Sequence, residues 1–489
     1  MGQKRGEDRM AQIIGRQKEI EKLDSACGKN GAQLIVVYGR RRIGKTFLID
    51  NYFGNNFSFK LTGVHKLSRS GQLKNFFAEM IRKGYEPEKE IKDWSDAFDC
   101  LRAYLDSRPG QEKQVVFFDE MPWLDSPKSG FKEAFEYFWN DYGIAKDNLI
   151  FVACGSASSW VRRFLIGNKG GLFNRFTQNL YLEPFNLFET EQYLRSMSIH
   201  WSRYDVVQCY MIMGGIPYYL RFLDGKKTLA ENVDAMFFER NCILRDEFDR
   251  LYATLFSDQE IYKKAVETLC RKPYGMTRDE IAADMKVPNN GKLSKVLDDL
   301  IASGFAQKRT RNGRRKEVIY LLTDYYTRFY LRFVKGCAGT DERYWTNSYS
   351  DASRTAWCGV SFEQLCFSHV RQIKNALGIG GVLSEEYAYL YRSGSTDDHG
   401  AQIDLVLDRK DRTCSLCEIK FASGEFRLDR EEMLNLLNKA EVFRNQTGTT
   451  KSIQLVLITT FGLKRNEYSG QINRALTMDD LFNNGWQEN

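Results

Sequence analysis

The chain has 489 residues, 43% hydrophobic and 28% charged, with a formal net charge of +7. That length exceeds what one core usually serves, so two to four domains are expected, and the composition excludes a largely disordered chain. The longest apolar runs fall far short of the roughly 20 residues that cross a bilayer, and the charged start MGQKRGEDRMAQ lacks the apolar segment of a secretory signal. Eleven scattered cysteines without framework spacing fit a reducing cytoplasm and no membrane.

Along the chain, Ile20 and Leu23 mark a short helix, and an apolar strand over 33–38 precedes GRRRIGKT and a helix over 45–52. Aromatic-rich helical segments then run to about 108, where Pro109-Gly110 breaks the pattern. Val115–Phe118 and Leu149–Cys154 are continuous apolar runs, the pattern of a parallel sheet covered on both faces. The first region, 10–185, therefore reads as a doubly wound α/β domain. A helical lid over 186–257 follows, interrupted by GGIPYYL.

Residues 258–336 read as a winged helix: three helices, the second started by a Thr277/Glu280 capping box, then a hairpin around Asn312-Gly313. A linker over 337–354 leads to a compact α/β unit over 355–489, with strands near 383–391, 402–408, 414–421 and 453–460 and helices over 357–377 and 428–445. Cys414 and Cys417 read as buried strand residues, since the four scattered histidines supply no matching zinc ligands.

GRRRIGKT between strand and helix is a phosphate-binding loop. Its backbone turns amides toward phosphate oxygens at the positive end of a helix. The expected nucleotide segment is Gly39, Arg40, Arg41, Arg42, Ile43, Gly44, Lys45 and Thr46, with Phe47 following. Lys45 bridges the outer phosphates of ATP and Thr46 holds Mg2+. Asp119 and Glu120 end an apolar strand, Asp119 to orient the magnesium and Glu120 to polarise the attacking water.

These motifs resemble the archaeal-type AAA+ ATPase family, a relative of the signal-transducing ATPases. The resemblance implies further roles. Gly15 and Arg16 open a helix beside the adenine, Ser156 is a first sensor, and Arg175 in LFNR is an arginine finger that requires a homo-oligomer if it acts in trans. Pro217 of GGIP contacts the nucleotide from the lid. No arginine stands where a second sensor is wanted.

The basic excess is local: residues 260–320 hold 14 Lys/Arg against 8 Asp/Glu. Lys308, Arg309, Arg311, Arg314, Arg315 and Lys316 line the hairpin without an acid, so its alternating side chains leave part of the charge solvated. Such a ribbon suits either the DNA backbone, with steep salt dependence, or a protein surface.

In the last unit, Asp404 on one strand and Glu418-Ile419-Lys420 on the next make an acid followed by acid-apolar-lysine. That is the set metal-dependent phosphodiester cleavage uses: two carboxylates for Mg2+ or Mn2+ and a lysine to position or deprotonate water. The pattern resembles the PD-(D/E)xK nuclease superfamily, whose restriction-endonuclease-like fold implies Glu363 as a further metal-site acid. The leading Pro of that motif is replaced by Gln402-Ile403. Three readings follow: an ATPase coupled to DNA binding and cleavage, a nucleotide-switched regulatory or defence ATPase whose last domain binds nucleic acid or a protein partner without cutting, or a housekeeping ATPase with a decayed last domain.

Overall fold

The computed structural model describes residues 13–108, 110, 113–156, 158–167, 171–172, 175–256, 258–313, 317–337, 341–392 and 400–484. They form two compact units. The first comprises residues up to Pro184 with Arg250–Gln259 and Asp298–Gly304, and the second holds Phe185–Asp249, Glu260–Leu297 and Phe305 onward. The helical segment expected as a lid thus lies almost wholly in the second unit.

In the first unit, α1 (Gln17–Cys27), β1 (Gln33–Gly39) and α2 (Lys45–Tyr52) are followed by β2 (Phe59–Thr62), α3 (Arg69–Arg82) and α4 (Trp94–Asp106). Then come β3 (Gln114–Asp119), α5 (Phe131–Asp141), β4 (Leu149–Gly155) and β5 (Gln178–Leu182). The strand order is β2-β3-β4-β1-β5, every pair parallel. β3 and β4 are buried along their whole length, as their unbroken apolar runs dictate. Phe59, Phe76, Trp94, Phe98, Phe118, Phe131 and Phe151 fill one core, each ring contributing about 1.5–3 kcal/mol by burial. Sequence periodicity did not mark the edge strand β2, whose four residues are too few to show a period.

The second unit begins with α6 (Leu187–Ser196) and α7 (Arg203–Met213). α8 (Gln259–Arg271), α9 (Arg278–Met285) and α10 (Gly291–Ala302) precede the antiparallel hairpin of β6 (Ala306–Thr310) and β7 (Val318–Leu322). The Thr277/Glu280 capping box opens α9 as expected. α11 (Ala352–Ser368), α12 (Val370–Ala376), β8 (Ser384–Tyr391), β9 (Ala401–Arg409), β10 (Thr413–Lys420), α13 (Arg430–Thr447), β11 (Ser452–Thr459) and β12 (Arg474–Leu476) complete the chain. The sheet order is β12-β11-β10-β9-β8. β8, β9 and β10 form an antiparallel meander, while α13 returns the chain to place β11 parallel to β10. Cys414 and Cys417 are both buried on β10. Among the described residues no helix is long and apolar enough to cross a membrane.

The helix expected over 357–377 is two helices, α11 and α12, separated at His369 (φ −115°, ψ 26°). Its buried imidazole accepts a hydrogen bond at Nε2 from Leu187 N, 3.0 Å away at the first turn of α6, while Nδ1 lies 2.9 Å from Leu365 O. A helix-start amide otherwise left unsatisfied thereby gains a partner. Burial pushes the imidazole down to about 4, because protonation would remove that acceptor and set a cation at a helix N-terminus. A depressed folded value contributes stability that is complete above the unfolded value near 6.5 and lost as pH falls toward 4. The full contribution is about 3 kcal/mol. We expect the thermal midpoint of the wild type to fall relative to His369→Gln between pH 6.5 and 4; parallel melting profiles for the two proteins would contradict this.

Candidate functional site

Two residue constellations carry chemistry, one in each unit. In the first, β1 ends at Gly39, held at φ 143°, where an added Cβ would stand 2.4 Å from Leu182 O. Only glycine fits there. Arg42 (φ 77°) and Gly44 (φ 85°) are left-handed and turn the loop before α2 starts at Lys45. Lys45 is buried, and its Nζ donates to Gly39 O at 3.2 Å and Arg40 O at 3.0 Å. Burial lowers its pKa, opposed by Cys154, Glu120 and Asp119.

Asp119, at the end of β3, accepts from Thr46 Oγ1 at 2.9 Å and from Glu120 N at 3.0 Å. Burial raises its pKa, and neighbouring Glu120 adds to that while Thr46 opposes it. β4 lies between β1 and β3, so Ser156 just beyond it falls between the loop and the two acids. Ser156 Oγ donates to Glu120 within 2.6 Å of both carboxylate oxygens, and Ser156 N donates to Oε2 at 3.2 Å. Glu120 itself is left-handed (φ 45°), and the paired close approach of Gly63, whose Cβ would stand 2.5 Å from Glu120 O, keeps that turn tight. Lys45, Thr46, Asp119, Glu120 and Ser156 are thus brought together.

Other expected residues are placed differently. Gly15 and Arg16 are both left-handed (φ 67° and 64°), and buried Arg16 donates to Ile43 O at 3.1 Å and Glu183 O at 2.7 Å, so it braces the loop's backbone. Arg40 is buried, Arg41 lies 5.7 Å from the Trp123 ring, and Phe47 is 55% exposed. Arg175 is exposed, and its neighbours Phe173 and Asn174 lie outside the described residues. Pro217 starts a short helix, Pro217–Leu220, of the second unit. Trp123 and His65, whose rings lie 5.4 Å apart beside Arg41, carried no motif that could have flagged them.

In the second unit, the β9–β10 register runs to Cys417↔Leu405, one step short of Glu418 and Asp404, which therefore stand side by side across the strand pair. Asp404 Oδ2 accepts from Ile419 N at 2.9 Å. Glu418 is gripped by Lys420 Nζ at 3.0 Å and by Lys439 Nζ of α13 at 2.7 Å. Glu363 on α11 feels both acids. Burial, then the charges of Asp404 and Glu418, push it up to about 8, while burial and Glu418 push Asp404 up to about 6.

Burial pulls the Lys420 ammonium down, but Glu418 and Asp404 outweigh it and its pKa ends raised. Among the described residues no three of His, Cys, Asp and Glu converge as a ready metal cage. The donor set is instead a carboxylate pair with an adjoining third acid. The crossover of α13 brings Lys439 to Glu418.

The hairpin departs from a solvated ribbon. Asn312 Nδ2 donates to Leu390 O at 2.9 Å and Leu390 N donates to Asn312 Oδ1 at 2.7 Å, so the turn is docked on the edge strand β8. Arg309 is half-buried, its guanidinium 4.1 Å over the Phe367 ring and its pKa lowered to about 10 by burial. Arg311 faces Glu280 at 3.9 Å, and Lys308 is exposed. Neighbours of the chain's own fold, not solvent, decide the orientation of the first two. Arg314, Arg315 and Lys316 lie outside the described residues.

Residues 13–223 match a family described as an ATPase domain predominantly from Archaea. This stretch is an ATPase domain of that family. Over 417 residues the chain is 23% identical to an uncharacterized protein of Methanocaldococcus jannaschii, covering 84% of this chain and 87% of that protein. A second protein of that organism, an uncharacterized ATP-binding protein, is 44% identical over 43 residues, 9% of this chain and 73% of that one. The Walker-type ATPase of Pyrococcus abyssi is similar to 65% of this chain and 96% of its own, with a TM-score of 0.48 and 17% identity. The matched stretch thus contains the whole loop-to-Ser156 cluster and runs past α7 to residue 223.

Proposed function

We propose that the chain is an AAA+-type ATPase that couples its nucleotide state to magnesium-dependent cleavage of DNA phosphodiesters by the C-terminal sheet of the second unit. One observation carries the second half of this reading: Asp404 and Glu418 adjoin across β9–β10 with Lys420 beside them and Glu363 near. Acids crowded in apolar surroundings repel one another and cost stability, so a site that keeps them is a site for a cation.

In the ATPase domain, Thr46 and Asp119 suit Mg2+, since a buried acid already shares a hydroxyl with the residue after Lys45. Lys45 holds the outer phosphates, and Glu120 takes up the proton of the attacking water at its carboxylate. Ser156 is a positioning residue that sets the angle of Glu120 through bonds to both oxygens. At the C-terminal site Asp404 and Glu418 would hold Mg2+ or Mn2+, which when bound supplies polarisation of the phosphate. Lys420 keeps its proton on Nζ and steadies the charge that builds on the phosphate oxygens.

The test is incubation of the full chain with ATP, Mg2+ or Mn2+ and a mixed set of DNA substrates. Cleavage products that vanish in Asp404→Asn are expected; no product from any substrate with either metal would remove the nuclease half. A second reading, a nucleotide-switched regulator that binds without cutting, is favoured by one feature. Glu418 already has two lysine partners, which offset its charge without a metal.

A further inference from the structure

Within the second unit a cleft of about 270 Å³ runs between the β6–β7 hairpin and the meander, and its lining includes both Glu363 and Asp404. Five cations line it: Arg271, Lys272, Arg309, Arg311 and Arg392. Glu280 is the other acid on its wall. Arg271 pairs with Asp284 at 2.9 Å, and Lys272 and Arg311 face Glu280 at 3.8 and 3.9 Å. Such partly exposed pairs contribute little and are readily exchanged for phosphate oxygens. Tyr274 sits on the same wall, 46% exposed although large and aromatic, and Phe367 and Tyr389 add ring surface.

The hairpin wall is held shut at its tip. Besides the two Asn312–Leu390 bonds, a Cβ on Gly313 would stand 2.8 Å from the Tyr387 ring, so the turn is packed against β8. Its volume is near the lower end of small-molecule pockets, about 300–1,000 Å³. It admits a base with its adjoining phosphate and is far too small for a duplex. Cations tracking a backbone, with aromatic faces for bases, are the parts of a single-strand channel.

We propose that this cleft binds a single nucleic-acid strand, with Tyr274 stacking on a base, and leads that strand to the Asp404 end. This rests on the phosphodiesterase reading above and names its substrate class. Arg309 and Arg311 then act from inside the cleft and not from a wing inserted in a groove.

The experiment is fluorescence anisotropy of the full chain in EDTA with labelled oligothymidylate, oligouridylate and a DNA duplex of equal length. Oligothymidylate or oligouridylate, whichever binds tighter showing which strand is preferred, should bind at least about tenfold more tightly than duplex. Tyr274→Ala should weaken single-strand binding by about five- to hundredfold with an unchanged thermal midpoint. Arg392→Ala should weaken it less and lower the salt slope by about one. Equal affinity for duplex, or a Tyr274→Ala protein that binds like wild type, would overturn the proposal. Strand binding without cleavage in Mg2+ would instead remove the nuclease reading and leave the cleft standing, and cleavage without strand preference would do the reverse.

Discussion

Lys45→Ala is expected to abolish ATP binding and lower hydrolysis at least about a hundredfold, the loss typical when one preorganised charge is removed from a developing anion. The fold should survive. Lys45 is buried with two backbone carbonyls as its hydrogen-bond partners, and burial already works against its charge. Removing it therefore relieves a desolvation cost at the same time as it deletes two bonds. Calorimetry with ATP, phosphate release and a melting curve on the same preparation check this together. ATP uptake equal to wild type would break the link between loop and nucleotide, whatever the rate.

Glu418→Gln is expected to lower DNA cleavage about a thousandfold, the several kcal/mol that a metal-held charge supplies. Glutamine keeps the shape and an acceptor for Lys420 and Lys439, whereas alanine would leave two lysines facing an apolar strand pair and cost about 3–5 kcal/mol of stability. The pH dependence has a definite sign. Burial and Glu418 raise Asp404 to about 6, and burial, Asp404 and Glu418 raise Glu363 to about 8, so the cation site gains charge, and the rate should rise, from pH 6 to 8. The same raised values mean that these two acids contribute less to stability as pH rises through that window, and added Mn2+ should restore the midpoint. Cleavage by Glu418→Gln at the wild-type rate, or a rate flat across that range, would contradict the assignment.

Local rules were legible where the determining interaction spans few residues. GRRRIGKT placed the loop because a left-handed turn at Gly44 and a helix start at Lys45 are set by neighbours in sequence. Thr277 and Glu280 fixed the start of α9 for the same reason, and the apolar runs of β3 and β4 announced burial on both faces. The acid-apolar-lysine spacing on β10 put Glu418 and Lys420 on one face, as found.

What remained hidden depends on residues far apart in the chain. Which of the hairpin cations are covered was not legible: Arg309 stacks on the Phe367 ring, and both amide groups of Asn312 are taken by Leu390, 78 residues on. His369 reaches Leu187 across 182 residues. Sequence by itself determined the long apolar strands, the phosphate loop and which acids share a strand pair, because backbone sterics and the alternation of side chains act over a few residues. Tertiary structure alone decided which charges lose water and which cleft they face, because desolvation depends on what packs against a group, and that is set by the fold as a whole.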